Sequence, residues 1–532
     1  MEERFRKITT GKAIALDGVS DIYLRDKNLK EKAKGVLKDL WSGCLNNVKN
    51  IEKHFMSRII PLNKVHPHIP TAAENRPIVV ESQLVKLLET YFLPKAQTYL
   101  REKMIISQTG FVTGLGITVN IVRAIKQIKL RTDAKKECYG LFIDLKSAYN
   151  TIYHTKLFKL LENIYDHEEI MFLKAMWART KLKLGNIELT PNVGVPQGSL
   201  LSPSLFNIYF EIILKKLQER NINLNDILAY ADDLLIICDS IEQLKGVIKM
   251  LKEELKAIGL IMNSKKSAIV EFKNRYSKKQ TLTEQILEDI PVLTQYRYLG
   301  LIFDQKLTIK GHMDHINKKM LFQLHALSKV LPNITAGYRK NLWMTFIKPL
   351  FELASLLYYT EQGKSNKMDL ERQFYQSFKR LVGLSKSTPN SLVRELCGYN
   401  LKERAGKLWK DATNKWIQRL GNDIKVERSD YLKPKNLLQY ISQDGIKLIN
   451  LLNRICPICK NEKMTESHLK KHRIIIPSII ELFSSTNKKV EKAKREDKLD
   501  QKSSKRGKLI SEHNGEIINI KKEVNKFFML TI

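Results

Sequence analysis

The amino-acid sequence predicts an α+β protein with several domains, and three of its patterns support this. Strand-like apolar runs alternate with helical patterns between residues 57 and 305. Within that part, "IEQLKGVIKMLKEELKAIG" (241–259) repeats apolar residues at helical spacing, and Gly259 can cap the helix. Residues 306–455 have a mostly helical pattern. A chain of 532 residues is long enough to form several domains with a large core.

The chain is strongly basic, with a formal net charge of +35. After residue 472 there are 14 Lys or Arg and 8 Asp or Glu, so this tail holds +6 and the preceding part holds +29. A basic body predicts a polyanionic partner, most simply nucleic acid. The alternative is a Lys-rich composition without functional meaning, because Lys, Ile and Asn are all frequent here.

The sequence contains no signal for a membrane or for secretion. The longest apolar run, residues 346–359, is interrupted by Lys348 and Glu352 and is too short to span a bilayer. The start, "MEERFRKITT", lacks the apolar core of a signal peptide. The cysteines are scattered and do not form a disulfide framework. We therefore expect an intracellular protein, nuclear or cytoplasmic, with no membrane partner.

The segment "LAYADDLLIICD" (228–239) places two adjacent aspartates between two apolar arms. The arms predict a buried hairpin. Asp is common at turn positions, but Asp232 and Asp233 would repel each other unless a cation lies between them. On this segment alone, a simple turn and a metal site remain equally open.

A third carboxylate, Asp144, ends an apolar strand in "CYGLFIDLKSAYNTI" (138–152). A buried strand that ends in a carboxylate needs a partner for that charge. If this strand pairs beside the hairpin, three carboxylates converge, and their oxygens suit Mg²⁺. Two such ions about 4 Å apart form the clamp of in-line phosphoryl transfer.

Between these two strands lies "NVGVPQGSLLSPSLFNIYFE" (192–211), which predicts a glycine-containing loop followed by a buried helix. Glycine allows the backbone to approach a ligand closely. Taken alone, an ordinary strand-to-helix loop is the simpler interpretation, and a nucleotide site is the alternative.

Together these segments resemble a reverse transcriptase, most closely those of non-LTR (LINE-type) retrotransposons. The motifs keep the family's order: "FIDLKSAYNTI", "GVPQGSLLSPSLFNIYFE", "YADD", "GLIMNSKKS" and "YRYLGLIFDQKLTIKGHM". Upstream, "ENRPIVVESQLVKLLE" and "QTGF" resemble the family's fingers motifs. The resemblance covers roughly residues 57–360 and implies a right-hand polymerase with fingers, palm and thumb.

The resemblance implies a domain layout. The expected order is a basic helical N-terminal extension (1–56), fingers and palm (57–305), a thumb (306–385), a helical C-terminal region with a zinc knuckle (386–485), and a basic linker and tail (486–532).

The resemblance also implies a catalytic metal site. Asp144, Asp232 and Asp233 match the family's carboxylates, which hold two Mg²⁺ ions, with Mn²⁺ as an alternative. The carbonyl of Leu145 is expected to add a ligand.

Further positions match the family's nucleotide and primer sites. Tyr149 matches an aromatic steric gate that favours dNTPs, and Gln197 matches a glutamine near the incoming nucleotide. The remaining assignments are Arg76 and Lys266 at the triphosphate, Tyr230 at the primer terminus, and Tyr298 and Gly300 in the primer-grip hairpin.

Two positions depart from the family. The usual Ile-Pro-Lys is replaced by "IPLNK" at residues 60–64, so either Lys64 replaces the missing lysine from two positions on, or that contact is lost. Asn150 stands where an Asp commonly follows the gate aromatic. Because the carboxylate set is whole, we expect activity to survive both changes.

Near the C-terminus, "CPICKNEKMTESHLKKH" (456–472) has the spacing C-x2-C-x8-H-x3-H. Cys456, Cys459, His468 and His472 would suit a tetrahedral structural Zn²⁺. The segment resembles the Cys/His knuckle that follows the polymerase in many non-LTR elements. The alternative is a chance grouping.

The resemblance implies an RNA-directed DNA polymerase that extends a DNA 3′ end on an RNA template. The alternatives are a group II intron-type maturase that binds RNA for splicing, and a non-catalytic nucleic-acid-binding relic. The sequence shows no endonuclease or RNase H pattern. We therefore expect a fragment of a longer element, a domesticated enzyme, or an enzyme that works with a separate endonuclease.

Overall fold

The computed structural model describes residues 13–420, apart from residues 22, 47, 66–67, 72–73, 275–283, 329–335 and 362. Its strands are β1 (Met56–Asn63), β2 (Asn75–Val80), β3 (Tyr139–Ile143), β4 (Lys181–Leu184), β5 (Ile187–Leu189), β6 (Ile227–Tyr230), β7 (Asp233–Cys238), β8 (Ala268–Glu271), β9 (Ile286–Leu287), β10 (Ile290–Pro291), β11 (Gln295–Tyr298) and β12 (Leu301–Asp304). The mixture of strands and helices confirms the predicted α+β class.

The first α-helices alternate with these strands, and the later ones follow the last strand. They are α1 (Lys27–Leu45), α2 (Gln83–Glu102), α3 (Ile117–Asp133), α4 (His154–Leu161), α5 (His167–Arg179), α6 (Ser202–Glu219), α7 (Ile241–Ala257), α8 (Ile309–Ser328), α9 (Ala336–Leu342), α10 (Lys348–Ala354), α11 (Lys364–Val382), α12 (Asn390–Cys397) and α13 (Leu401–Leu420). In the described residues after Asp304, every regular element is helical, as the sequence pattern predicts.

Two four-stranded sheets organise the first part of the chain. The carboxylate sheet has the order β6-β7-β3-β8, and all its neighbours are antiparallel. All five residues of its inner strand β3 are buried, which explains why that strand is almost entirely apolar. The N-terminal sheet has the order β2-β1-β4-β5, with β1 antiparallel to β2 and parallel to β4.

Helices α6 and α7 contribute to the core that supports the carboxylate sheet. The apolar stripe predicted for α7 is buried at Leu244, Val247, Leu251 and Leu255. The predicted cap is confirmed, because Gly259 has a positive φ of 77° just beyond the helix. Within the described residues, no helix combines the length and the apolar character needed to cross a bilayer.

Candidate active site

The predicted carboxylates lie at one end of the carboxylate sheet. The last residue of β3, Ile143, pairs with Leu234 of β7, so Asp144 follows at the level of Asp233. The predicted pairing of the Asp144 strand with the hairpin is therefore confirmed. Neighbouring antiparallel strands bring opposite residues to about 5 Å, which explains why residues far apart in sequence meet here.

The hairpin itself has a two-residue connection. Tyr230 of β6 pairs with Asp233 of β7, and Ala231 and Asp232 form the turn between them. Both arms are buried, as the apolar pattern predicts. Asp232 therefore lies in a turn and in a cluster of carboxylates at the same time.

The carboxylates interact electrostatically with one another. Burial raises the pKa of Asp232, and the charge of Asp144 adds to this rise, whereas Arg76 opposes it. Partial burial, Asp232 and Asp144 together raise the pKa of Asp233 to about 6, although its side chain remains accessible to solvent. The chain itself supplies too little positive charge to neutralise the group, as expected of a site that binds a cation.

Asp144 is fixed by the segment that follows α7. Asn263 Nδ2 donates to Asp144 Oδ2 at 2.9 Å. The backbone N–H of Asp144 donates to Ser267 Oγ at 3.1 Å, and its carbonyl accepts from the N–H of Asn263 at 2.8 Å. Both partners belong to the "NSKKS" motif, from which the sequence predicted only a role for Lys266. The motif therefore also orients a carboxylate.

The donor set fits a divalent cation that is bound together with a substrate. Among the described residues, no group of three or more His, Cys, Asp or Glu side chains is arranged so that it could hold a metal ion. Mg²⁺ usually takes one or two protein carboxylates and completes its shell with water and substrate phosphates. Leu145 offers a further oxygen, since its carbonyl accepts no hydrogen bond from the described residues.

The glycine-containing loop contacts both the segment that follows β3 and strand β2 of the N-terminal sheet. On one side Val195 N donates to Tyr149 O at 2.7 Å, and on the other Val79 N donates to Gln197 O at 2.7 Å. Gly198 has a φ of 137°, and a Cβ there would lie 2.2 Å from the Val79 carbonyl. Only glycine allows this close approach, so Gly198 is required for the packing of the loop against β2.

Two predicted nucleotide-site residues lie beside this loop. The ring of Tyr149 stacks on Phe206 with a centroid distance of 4.9 Å. Burial and the neighbouring charge of Asp232 raise the pKa of Tyr149, so its hydroxyl stays neutral. Gln197 Nε2 donates to Asn150 Oδ1 at 3.2 Å. The unusual Asn150 therefore forms a neutral amide pair with Gln197.

The unusual "IPLNK" sequence of β1 lies opposite β2 in the N-terminal sheet. Leu62 pairs directly with Arg76, and its side chain is 51% exposed. Directly opposite residues share a face, and Lys64 lies two residues further along the same face. The Lys64 N–H donates to the Glu74 carbonyl at 3.0 Å. Lys64 therefore lies two positions from the residue that pairs with Arg76. Its role at the triphosphate remains a prediction.

Lys266 also approaches this sheet. Hydrogen bonds from Thr71, and more weakly the charge of Lys266, lower the pKa of Glu74. The backbone carbonyl of Lys266 accepts a hydrogen bond from the Tyr296 hydroxyl at 3.1 Å. The "NSKKS" segment therefore contacts β11 with its backbone, and the charge of Lys266 acts weakly on Glu74, the residue before β2.

The predicted hairpin near the primer site is present as β11 and β12. Its turn residues Leu299 and Gly300 both have positive φ, as in the turn type that is most common in two-residue hairpins. Tyr298 is buried, and its hydroxyl donates to the Leu228 carbonyl of β6 at 2.9 Å and accepts from Asn120 Nδ2 at 3.1 Å. Tyr298 thus attaches the hairpin to the carboxylate sheet.

A basic cluster lies where β11 meets α8. It consists of Arg297, His315, Lys318 and Lys319, and the three from α8 share one helical face with Phe322. Burial and the charges of Arg297, Lys319 and Lys318 lower the pKa of His315. In the described part of the chain, none of the four has an ion-pair partner. Such uncompensated charge indicates an anionic ligand.

A family profile matches the central part of the chain. The profile described as "Reverse transcriptase (RNA-dependent DNA polymerase)" matches residues 63–303, which include the three carboxylates, the glycine-containing loop and the β11–β12 hairpin.

Residues 63–303 match a reverse transcriptase domain.

Relatives of this reverse transcriptase domain belong to non-LTR retrotransposons. The "Probable RNA-directed DNA polymerase from transposon BS" of Drosophila melanogaster is 24% identical over 56% of this chain and 35% of its own length. The "RNA-directed DNA polymerase from mobile element jockey" of the same species is 22% identical over 53% and 32%. The predicted non-LTR resemblance is confirmed. The chain spans about a third of the length of these relatives.

Solved structures similar to the reverse transcriptase include telomerase from Candida albicans in complex with a fragment of telomeric RNA. The sequence identity is 13%, the TM-score is 0.37, and the match covers 73% of this chain and 63% of that one.

Sequence reasoning assigned no role to three polar residues near the carboxylates, although one of them, Gln108, begins the "QTGF" motif. Asn263 holds Asp144, Asn120 donates to the Ala229 carbonyl of β6 at 3.0 Å, and Gln108 binds the turn at Ala231. A signal existed for Asn120, since it interrupts the apolar pattern of "ITVNIVRAI" in α3. Buried polar residues in such patterns need partners.

The predicted zinc ligands Cys456, Cys459, His468 and His472 lie outside the described residues.

Proposed function

We propose that the chain is an RNA-directed DNA polymerase of a non-LTR element, which extends a DNA 3′ end along an RNA template using dNTPs. The observation that carries this proposal is the meeting of Asp144, Asp232 and Asp233 at one end of a sheet, with elevated pKa values at Asp232 and Asp233. Mutually repelling carboxylates are costly in a fold and are typical of functional sites.

The carboxylates and the Leu145 carbonyl would hold two divalent cations, Mg²⁺ or Mn²⁺, which supply activation of the 3′-hydroxyl and neutralisation of the triphosphate. Arg76 and Lys64 would bind the triphosphate from the N-terminal sheet, and guanidinium geometry suits bidentate phosphate contacts. Lys266 would approach the same triphosphate as a cation or proton donor.

The sugar and base of the incoming nucleotide would contact Tyr149 and Gln197 beside the glycine-containing loop. Tyr149 is stacked on Phe206 and cannot easily move aside, so its ring would exclude a 2′-hydroxyl. Gln197 would contact the nucleotide through an uncharged amide, and its bond to Asn150 orients that amide. This arrangement supports a preference for deoxynucleotides.

The N-terminal sheet, the carboxylate sheet and the helices from α8 onward would act as fingers, palm and thumb. Tyr230 would lie near the primer terminus, and the β11–β12 hairpin with Gly300 would support the primer strand. The basic cluster on β11 and α8 supports binding of the nucleic-acid backbone. We also propose that Cys456, Cys459, His468 and His472 bind a structural Zn²⁺, on the basis of their spacing alone.

Primer extension tests the proposed function directly. The purified protein would be given Mg²⁺, dNTPs and matched RNA and DNA templates, with Asp232→Asn beside the parent. We expect extension on RNA, and a loss of roughly a thousandfold in the variant because metal-assisted stabilisation is worth several kcal/mol.

Asp133→Asn is the matched control, because Asp133 is an exposed residue paired with Lys129. Extension should be unchanged in this variant. RNA binding without any extension by the folded parent would contradict the polymerase proposal and favour an RNA-binding function.

A further inference from the structure

Ala231 has a backbone conformation that alanine rarely adopts. It lies between Tyr230 and Asp232 and has a φ of 54°, in the left-handed region that favours glycine. Its side chain is only 4% exposed. Because Asp232 is the next residue, the conformation of Ala231 sets the direction in which the Asp232 carboxylate leaves the turn.

The side chain of Gln108 binds the backbone of Ala231 at both of its polar groups. Gln108 Oε1 accepts from the Ala231 N–H at 2.8 Å, and Gln108 Nε2 donates to the Ala231 carbonyl at 3.1 Å. The same Oε1 accepts from the Gly110 N–H at 2.9 Å. Gln108 is completely buried, so water cannot replace these bonds.

The backbone around Gln108 is itself fixed against β6. Ala229 N donates to Ser107 O at 3.1 Å, and Thr109 N donates to Ala229 O at 3.0 Å. A Cβ at Gly110 would lie 2.3 Å from the Ala231 nitrogen, so glycine is required for this approach. The short segment 107–110 therefore holds the amide of Gln108 in one position relative to the turn.

We propose that Gln108 is a positioning residue that keeps Ala231 in its left-handed conformation and thereby aims Asp232 at the reacting groups. This inference rests on the proposed polymerase function, in which Asp232 binds the cations. Gln108 touches neither substrate nor cation in this account and acts only through the backbone of Ala231.

The test compares Gln108→Met, which keeps the side-chain length but removes every polar group, with the double variant Gln108→Met, Ala231→Gly. Glycine adopts positive φ without help, so it should restore the turn when the amide of Gln108 is removed. We expect Gln108→Met to lower kcat about tenfold or more with little change in the KM for dNTPs, since a left-handed alanine is strained by that order. The double variant should recover most of kcat.

Gln83→Met is the matched control. Gln83 is also buried, and its Nε2 has no hydrogen-bond partner among the described residues, so kcat should stay at the parental value. If Gln108 served only stability, Gln108→Met would lower the melting temperature, and the added Ala231→Gly change would not restore kcat. A double variant no more active than Gln108→Met would therefore overturn the inference.

Hydrogen–deuterium exchange gives a readout that is independent of activity. The peptide covering residues 227–238 should exchange faster in Gln108→Met than in the parent or in Gln83→Met, because the Ala231 N–H no longer has its acceptor. Unchanged exchange would overturn the inference even in an active enzyme. If the parent protein extends no primer, the proposed function is refuted. The exchange result would still decide whether Gln108 holds Ala231.

Discussion

Asn263 illustrates how a single side chain can orient a carboxylate of the proposed cation site. Its amide donates to one oxygen of Asp144, which leaves the other oxygen without a donor among the described residues. Groups that hydrogen-bond a metal ligand fix its direction and tune its affinity. Asn263 therefore belongs to the site although it is expected to touch neither nucleotide nor cation.

Replacing Asn263 by Ala should weaken cation binding about 10- to 100-fold, the range seen when such outer partners are removed. The Mg²⁺ concentration for half-maximal extension should rise, while the maximal rate at saturating Mg²⁺ stays close to that of the parent. Mn²⁺ binding followed by electron paramagnetic resonance gives an independent value. Asn163→Ala, at an exposed loop position, is the control, and an equal shift in both variants would refute the role.

At the residue scale, the sequence predicted side chains with strong chemical signatures. Asp144, Asp232 and Asp233 stood out as charges next to apolar strands, but only the ordered motifs that resemble a reverse transcriptase favoured a metal site over a simple turn. Gln108 was noted only as part of the "QTGF" motif, and its contact with the turn was not predicted, because its partner Ala231 lies 123 residues away and offers only backbone atoms. Hydrogen bonds from a side chain to distant backbone leave no pattern in the sequence.

At the scale of secondary-structure elements, a buried acidic pair supports the start of α6. Glu89 of α2 accepts hydrogen bonds from the Ser199 hydroxyl and from Leu200 N, the latter at 2.8 Å. Glu81 is also buried, and its Oε2 has no partner among the described residues. Burial, tempered by Ser199, raises the pKa of Glu89 to about 6. Burial and the charge of Glu89 raise the pKa of Glu81 well above its usual value.

This pair should make the fold less stable as the pH rises. A carboxyl whose pKa is higher in the folded than in the unfolded state binds more protons when folded, so stability decreases as the pH increases between the two values. For Glu89 this window runs from 4.5 to about 6 and corresponds to about 2 kcal/mol.

Replacing Glu81 by Gln should therefore raise the melting temperature at pH 8 and leave it nearly unchanged at pH 4, where Glu81 is protonated in both states. Thermal unfolding at the two pH values measures the difference. Glu162→Gln, at an exposed position, should have little effect at either pH. A lower melting temperature for Glu81→Gln at pH 8 would show that the Glu81 charge is stabilising.

At the scale of the whole molecule, the excess of basic residues predicts a surface on which the proposed nucleic-acid partner would bind. The described part of the chain offers one in the basic cluster of β11 and α8. Composition alone predicted a polyanionic partner but not this position, because the cluster combines a strand residue with a helical face from a later segment.

Neutralising Arg297 and Lys319 by Gln should weaken binding of a primer–template duplex similarly for all sequences. The slope of log affinity against log salt should fall by about one for each phosphate that the variant no longer neutralises. Fluorescence anisotropy at several salt concentrations measures this slope. Lys216→Gln is the control because Lys216 is already paired with Glu219, and an equal decrease of the slope there would argue against a localised site.

The position of β3 inside the carboxylate sheet has a consequence for biosynthesis. Both of its neighbours, β7 and β8, come later in the chain, and Asp233 follows Ile143 by 90 residues. At ribosomal elongation rates of 5–20 residues per second, β3 waits roughly 5 to 20 seconds with two unpaired apolar edges. Such strands are templates for aggregation. We therefore expect the nascent polypeptide to benefit from chaperones during this interval, and codons that slow translation between β3 and β7 should lower the soluble yield.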